Sequence, residues 1–158
     1  MASCSVENEE TYLNENTANL ETPPDPDPIF CHLANLIAGQ NMTIGTVSVN
    51  YDGSTITVVY ETDGNWTLEL THLWIGDCTD LPVNNPGNPL IGQFPYSESH
   101  PGATTFTYEI DASTLDGIEF ICVAAHAEVI GATSETAWAA GTTFPGNNWA
   151  MYFEIDCL

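Results

Sequence analysis

Four histidines and five cysteines are the side chains of this 158-residue sequence best suited to metal ligation or nucleophilic chemistry. They sit among 22 acidic residues and no lysine or arginine. His72 falls in the run "WTLELTHLWIG", on a strand face shared with Trp66, Leu68, Leu70 and Trp74. His126 falls in "IEFICVAAHAEVI", on the face of Cys122, Ala124 and Glu128. With His100 from a proline-rich loop and a carboxylate from Glu128 or Glu135, these imidazoles form a candidate ligand set. Neutral imidazole and carboxylate together suit zinc or copper. The competing expectation is that they are ordinary core and loop histidines, as His32 beside Cys31 is read to be. The pairs Asp77/Asp80 and Asp25/Asp27 are read as weak calcium ligands on the surface, because the Asp-x-Asp-x-Asp-Gly spacing of an EF-hand loop is missing. No cofactor is expected beyond such weak divalent binding.

The cysteines, at positions 4, 31, 78, 122 and 157, match neither a zinc ribbon nor a C-x-x-C redox pair. Their even spread along a strand-rich chain points to structural disulfides in an oxidising compartment, with one thiol left over. Cys4 is the odd one. Of the three pairings open to the other four, the expected one joins Cys78 to Cys122 and Cys31 to Cys157, the second tying the first strand to the last. The opening "MASCSVENEE" resembles the end of a bacterial lipoprotein signal, in which the cysteine after Ala-Ser becomes the lipidated first residue. The alternative is a simple tail thiol at Cys4.

The charge balance removes whole classes of function. A formal net charge of -22 repels phosphate backbones and anionic lipid, so nucleic acid is a poor partner. Without lysine or arginine there is no P-loop lysine, Schiff base or arginine finger. Trypsin-like proteases find no cleavage point, which suits an exposed protein. A Gly-x-Ser-x-Gly elbow is absent and the cysteines are read as oxidised, so a non-enzymatic role is expected. In so acidic a chain, a pair of carboxylates is uninformative about glycoside hydrolysis.

Aromatic residues supply the remaining candidates. Trp66, Trp74 and Trp149 alternate with apolar neighbours and are read as core. Trp138 and Phe144, in the Gly-rich "AWAAGTTFPGNNW", are the rings expected to be exposed. With Asn147 and Asn148 as polar partners they form a candidate platform for a cell-surface glycan.

These residues need a scaffold, and period-two alternation supplies it. From Ile29 onward, "MTIGTVSVNYDGSTITVVYETDGNWTLELTHLWIG" holds three strand-like runs separated by Asp52-Gly53 and Asp63-Gly64, both strong hairpin signals, and predicts an antiparallel meander. Prolines 82, 86, 89, 95 and 101 forbid a central strand across the next segment, which is expected to pack as a capping excursion. "TTFTYEI", "IEFICVAAHAEVI" and "NWAMYFEI" supply further strands, the second continuous enough to be covered on both faces. No run of about 20 apolar residues is present, so no transmembrane segment is expected. The fold class that follows is all-β: an antiparallel β-sandwich, immunoglobulin-like or jelly-roll-like, braced by disulfides. Residues 1–28 form an acidic N-terminal extension ending in the stiff spacer "TPPDPDP", and 29–158 form the sandwich domain.

In combination, "AGQNMTIGTVSVNYDGSTITVVYET", "WTLELTHLWIG", "GNPLIGQFPY", "CVAAHAEV" and "ETAWAAGTTFPGNNWAMYF" resemble a β-domain recurring in secreted and surface-anchored bacterial proteins. The likeness runs from Leu36 to Phe153. It implies an extracellular β-domain and carries no catalytic residue to transfer. Such domains have a basic residue near the "AAGTTF" turn, where this chain has threonine. The expected function is therefore a structural or adhesive protein of the outer cell surface, self-assembling through strand addition of its N-terminal extension. The alternative is a carbohydrate-binding module.

Overall fold

The computed structural model describes residues 22–158; residues 1–21, with Cys4, lie outside the described part. Residues 22–28 are exposed and have no regular structure. Ten strands follow: β1 (Ile29–Ala38), β2 (Met42–Tyr51), β3 (Thr55–Thr62), β4 (Thr67–Asp77), β5 (Tyr96–Ala103), β6 (Thr105–Asp111), β7 (Ile121–Ile130), β8 (Ser134–Ala139), β9 (Thr142–Thr143) and β10 (Met151–Ile155). Short 3-10 turns occupy Cys78–Asp80, Ile91–Gln93 and Ala112–Leu115.

The Asp52-Gly53 signal makes a tight hairpin between β2 and β3. Gly53 takes a φ of 99°, which costs a residue without Cβ little. The Asp52 carboxylate accepts from the Ser54 and Thr55 amides at 2.9 and 2.7 Å, and those bonds hold its pKa below the usual value. The expected meander stops there. β3 pairs with β2 and β6, whereas β4 pairs with β5 and β7. Asp63-Gly64 is thus a corner that carries the chain across the core. The Thr62 hydroxyl fixes this corner by donating to the Trp66 carbonyl at 2.7 Å.

All the main strands belong to one antiparallel sheet, in the order β5-β4-β7-β8-β1-β2-β3-β6, curved until it is nearly a barrel. The all-β, antiparallel, disulfide-braced architecture expected from the sequence is present. Its strands are not two separately bonded layers, because a short ladder joins the two halves: Leu36 to Ala139, Ile37 to Trp138 and Ala38 to Ala137. Across the interior, the Tyr60 hydroxyl on β3 donates to the His72 carbonyl on β4 at 3.0 Å. The Thr71 and Tyr108 hydroxyls meet at 2.7 Å.

The enclosed core holds Leu36, Val47, Val49, Val58, Leu73 and Val129, all with no exposed surface. A second apolar cluster lies outside the sheet, over β4, β7 and β8. Trp74, Cys122, Ala124 and Trp138 supply its floor, and Phe94 from the proline-rich segment and Phe144 from the 140–150 excursion supply its cover. The proline-rich segment is therefore a cap. The disulfides join Cys31 to Cys157 and Cys78 to Cys122, with Cα separations of 5.4 and 4.8 Å.

Candidate functional site

β4 carries a register shift between Leu68 and Leu70. One extra residue reverses the parity of everything beyond it. Trp66 and Leu68 consequently point into the barrel, while His72 and Trp74 point outward, correcting the single shared face expected from alternation. In the β4–β7 ladder His72 stands directly opposite His126, and in the β7–β8 ladder His126 stands opposite Trp138.

The two imidazoles meet through their Nδ1 atoms at 3.2 Å. His126 is buried, with its ring centroid 4.8 Å from that of Trp138. Burial, and then the neighbouring His72, pushes its pKa down to about 3. His72 is half-buried, and its pKa is also lowered by burial, opposed by the charge of Glu128. Both rings are therefore neutral at physiological pH and each offers a lone pair. Glu128, two residues beyond His126 on the same strand face, is exposed.

The remaining members of the expected ligand set are elsewhere. His100 on β5 lies against Phe106, ring centroids 4.2 Å apart, with both ring nitrogens shielded from solvent and unpartnered. His32 stacks on Phe153 at 4.2 Å. Asp77 accepts from the Thr79 amide and hydroxyl, each at 2.8 Å, as the cap of a 3-10 turn. Asp25 and Asp27 line a shallow hollow with Asn50, Asp52, Thr55 and Thr57. The one close group of three ligand-type residues among those described is Cys78, Cys122 and Glu154, whose two sulfurs are already bonded to each other.

The expected glycan platform is rearranged. Trp138 and Phe144 are 3% and 4% exposed, so neither presents a free ring face. Each is packed between rings: Trp138 against Phe94 and His126, and Phe144 against Tyr152. Asn148 is a structural pin, donating to Asn88 Oδ1 at 2.6 Å and accepting from the Ala150 amide at 2.9 Å. Only Asn147 of the four is exposed. Their burial depends on a lid from residues far away in sequence, which local composition does not reveal.

Alternation also left one surface unnoticed. β6 pairs along its whole length with β3, from Thr105 opposite Glu61 to Asp111 opposite Thr55. Among the described residues no backbone hydrogen bond reaches its other edge. β5, next to it in sequence, ends at Ala103 and pairs with β4 instead, and the space between β5 and β6 is bridged by the pairs Tyr96–Tyr108 and His100–Phe106, at 5.8 and 4.2 Å between ring centroids.

The fold and disulfides define a cystine-braced, nearly closed antiparallel barrel, and the bonds suit an oxidising compartment outside the cytosol. No helix among the described residues is long and apolar enough to cross a membrane. No family model, curated protein or solved structure matches the chain.

Proposed function

We propose that this protein is a non-catalytic structural or adhesive component of the outer cell surface, whose copies join by strand addition. The observation that carries the reading is the edge of β6 that bonds to no other strand and faces β5 across the Tyr96–Tyr108 and His100–Phe106 ring pairs. On its side away from β3, the strand "TFTYEID" presents backbone donors and acceptors that no other strand pairs. Natural sheets blunt such edges with proline, charge or a cover. The facing strand β5 is blunted in this way, by Glu98 and Pro101. On β6 the charges are confined to Glu109 and Asp111 at one end, and the inward row of Phe106, Tyr108 and Ile110 remains well suited to pairing.

The donor in this reading is the acidic N-terminal extension of a second copy. Within one chain, residues 25–28 pass Asn50, Asp52, Thr55 and Thr57, so the extension leaves its own barrel on the side that leads from β2 through β3 to β6. Strand addition draws affinity from main-chain bonds, which lets two acidic partners associate where charge pairing cannot. Cys4 is the candidate lipid anchor of the copy nearest the membrane. We read the two four-stranded halves of the barrel as jelly-roll-like. Cell-surface glycans, the alternative partner, lose their stacking platform through the burial of Trp138 and Phe144.

Electron micrographs and sedimentation of the full chain test the proposal. Filaments or oligomers are expected, and deletion of residues 5–28 should leave monomers. Monomers alone from the concentrated full chain, or assembly that survives the deletion, overturn it.

A further inference from the structure

We propose that His72 and His126, with Glu128 as a third ligand, bind a single borderline divalent transition-metal ion on the outer face of the barrel. The ladder between β4 and β7 places the two histidines directly opposite each other, and their Nδ1 atoms lie 3.2 Å apart. Two imidazole nitrogens bound to one tetrahedral ion, each at ~2.0–2.1 Å, are separated by about 3.3 Å. The backbone thus already holds the pair at ligand spacing. Without an ion, one ring donates its Nδ1 proton to the other. With an ion, that ring takes up its Nε2–H tautomer, and both Nδ1 lone pairs face the metal.

The surroundings favour the same occupant. His126 is packed against Trp138 and fixed by burial, so half of the site is preorganised, while half-buried His72 leaves a way in from solvent. Glu128 is exposed, on the same strand face as His126, and its charge acts on His72. As the side chains stand, its carboxylate does not close a three-ligand group with the two imidazoles, so ligation requires the Glu128 side chain to rotate toward them, with water completing the set. Two imidazoles and one carboxylate select copper, zinc or nickel over calcium or magnesium. The formal net charge of -22 raises the local concentration of any cation without specifying it, so selectivity must come from the imidazoles.

The experiment is a titration of the full chain with Cu2+ or Zn2+ in a calcium excess that saturates the surface carboxylates. It is followed by calorimetry and tryptophan emission. One ion per chain is expected, with Cu2+ quenching the emission of Trp138, and this quenching should be lost in Trp138→Phe. His72→Gln, at a half-exposed position that tolerates exchange, should weaken binding ~10-fold or more, and Glu128→Gln should weaken it by less. His100→Gln should leave it unchanged. Copper spin resonance should report two imidazole nitrogens. No binding in excess calcium, or equal binding by wild type and His72→Gln, overturns the proposal.

Discussion

At the scale of single residues, His126 dominates the response to acid. Its folded pKa of about 3 lies below the value near ~6.5 of an unfolded histidine. The neutral ring is therefore favoured by folding. Its contribution is full above the unfolded value and is lost as pH falls from there toward the folded one. Over that window the loss approaches ~1.4 kcal/mol per pH unit. His32, His72 and His100, all lowered by burial, add in the same direction. Declining mutual repulsion among the carboxylates acts in the opposite sense, so a comparison isolates the histidine. Urea midpoints measured between pH 7 and 4 should fall more steeply for wild type than for His126→Asn. Parallel curves would remove His126 from the account. Asp52 makes a smaller, separable contribution: Asp52→Ala removes the Oδ1 acceptor shared by two turn amides and should lower the urea midpoint at pH 7.

At the scale of elements, Gly45 shows how closely the strands are fitted. It lies opposite Thr62 at the corner between the halves, and a Cβ there would overlap the Glu61 carbonyl oxygen. Gly45→Ala should therefore destabilise by ~1–3 kcal/mol, read as a lower thermal midpoint with an unchanged strand signature by circular dichroism. The Asp52-Gly53 hairpin was legible because the dipeptide and the alternating strands around it are local. Asp63-Gly64 has the same local chemistry and a different outcome, since a turn does not dictate which strand the chain pairs with next. The register shift at Leu68/Leu70 was hidden for a related reason: in "TLELTHL" either parity keeps leucines on one face. That single residue decides whether His72 faces the core or His126. The sequence suggested a shared ligand set, and the ladder brings two of its four members together while leaving His100 against Phe106. Burial of Trp138 and Phe144 was equally unreadable locally, because Phe94 and Asn88 arrive from another part of the chain.

At the scale of the whole molecule, charge and cross-links oppose one another. The 22 carboxylates of the chain have no lysine or arginine to pair with, those carried by the barrel repel one another, and added salt screens that repulsion. The thermal midpoint should rise as sodium chloride increases from low ionic strength; a flat response would mean that the charges are too well solvated to matter. The bonds at Cys31–Cys157 and Cys78–Cys122 span 126 and 44 residues. Constraint of the unfolded chain predicts that each stabilises by ~2–5 kcal/mol, more for the longer loop. Replacing Cys31 and Cys157 by serine should thus lower the midpoint more than replacing Cys78 and Cys122.

The Cys31–Cys157 bond also decides how the protein carries mechanical load. Tension entering upstream of residue 31 and leaving downstream of residue 157 crosses through the two sulfurs, over a Cα span of 5.4 Å, and never reaches the strands between them. An oxidised chain pulled from its two ends would be inextensible between these residues at forces that unravel ordinary domains. A reduced one would pay out 126 residues, roughly 400 Å of slack at full extension.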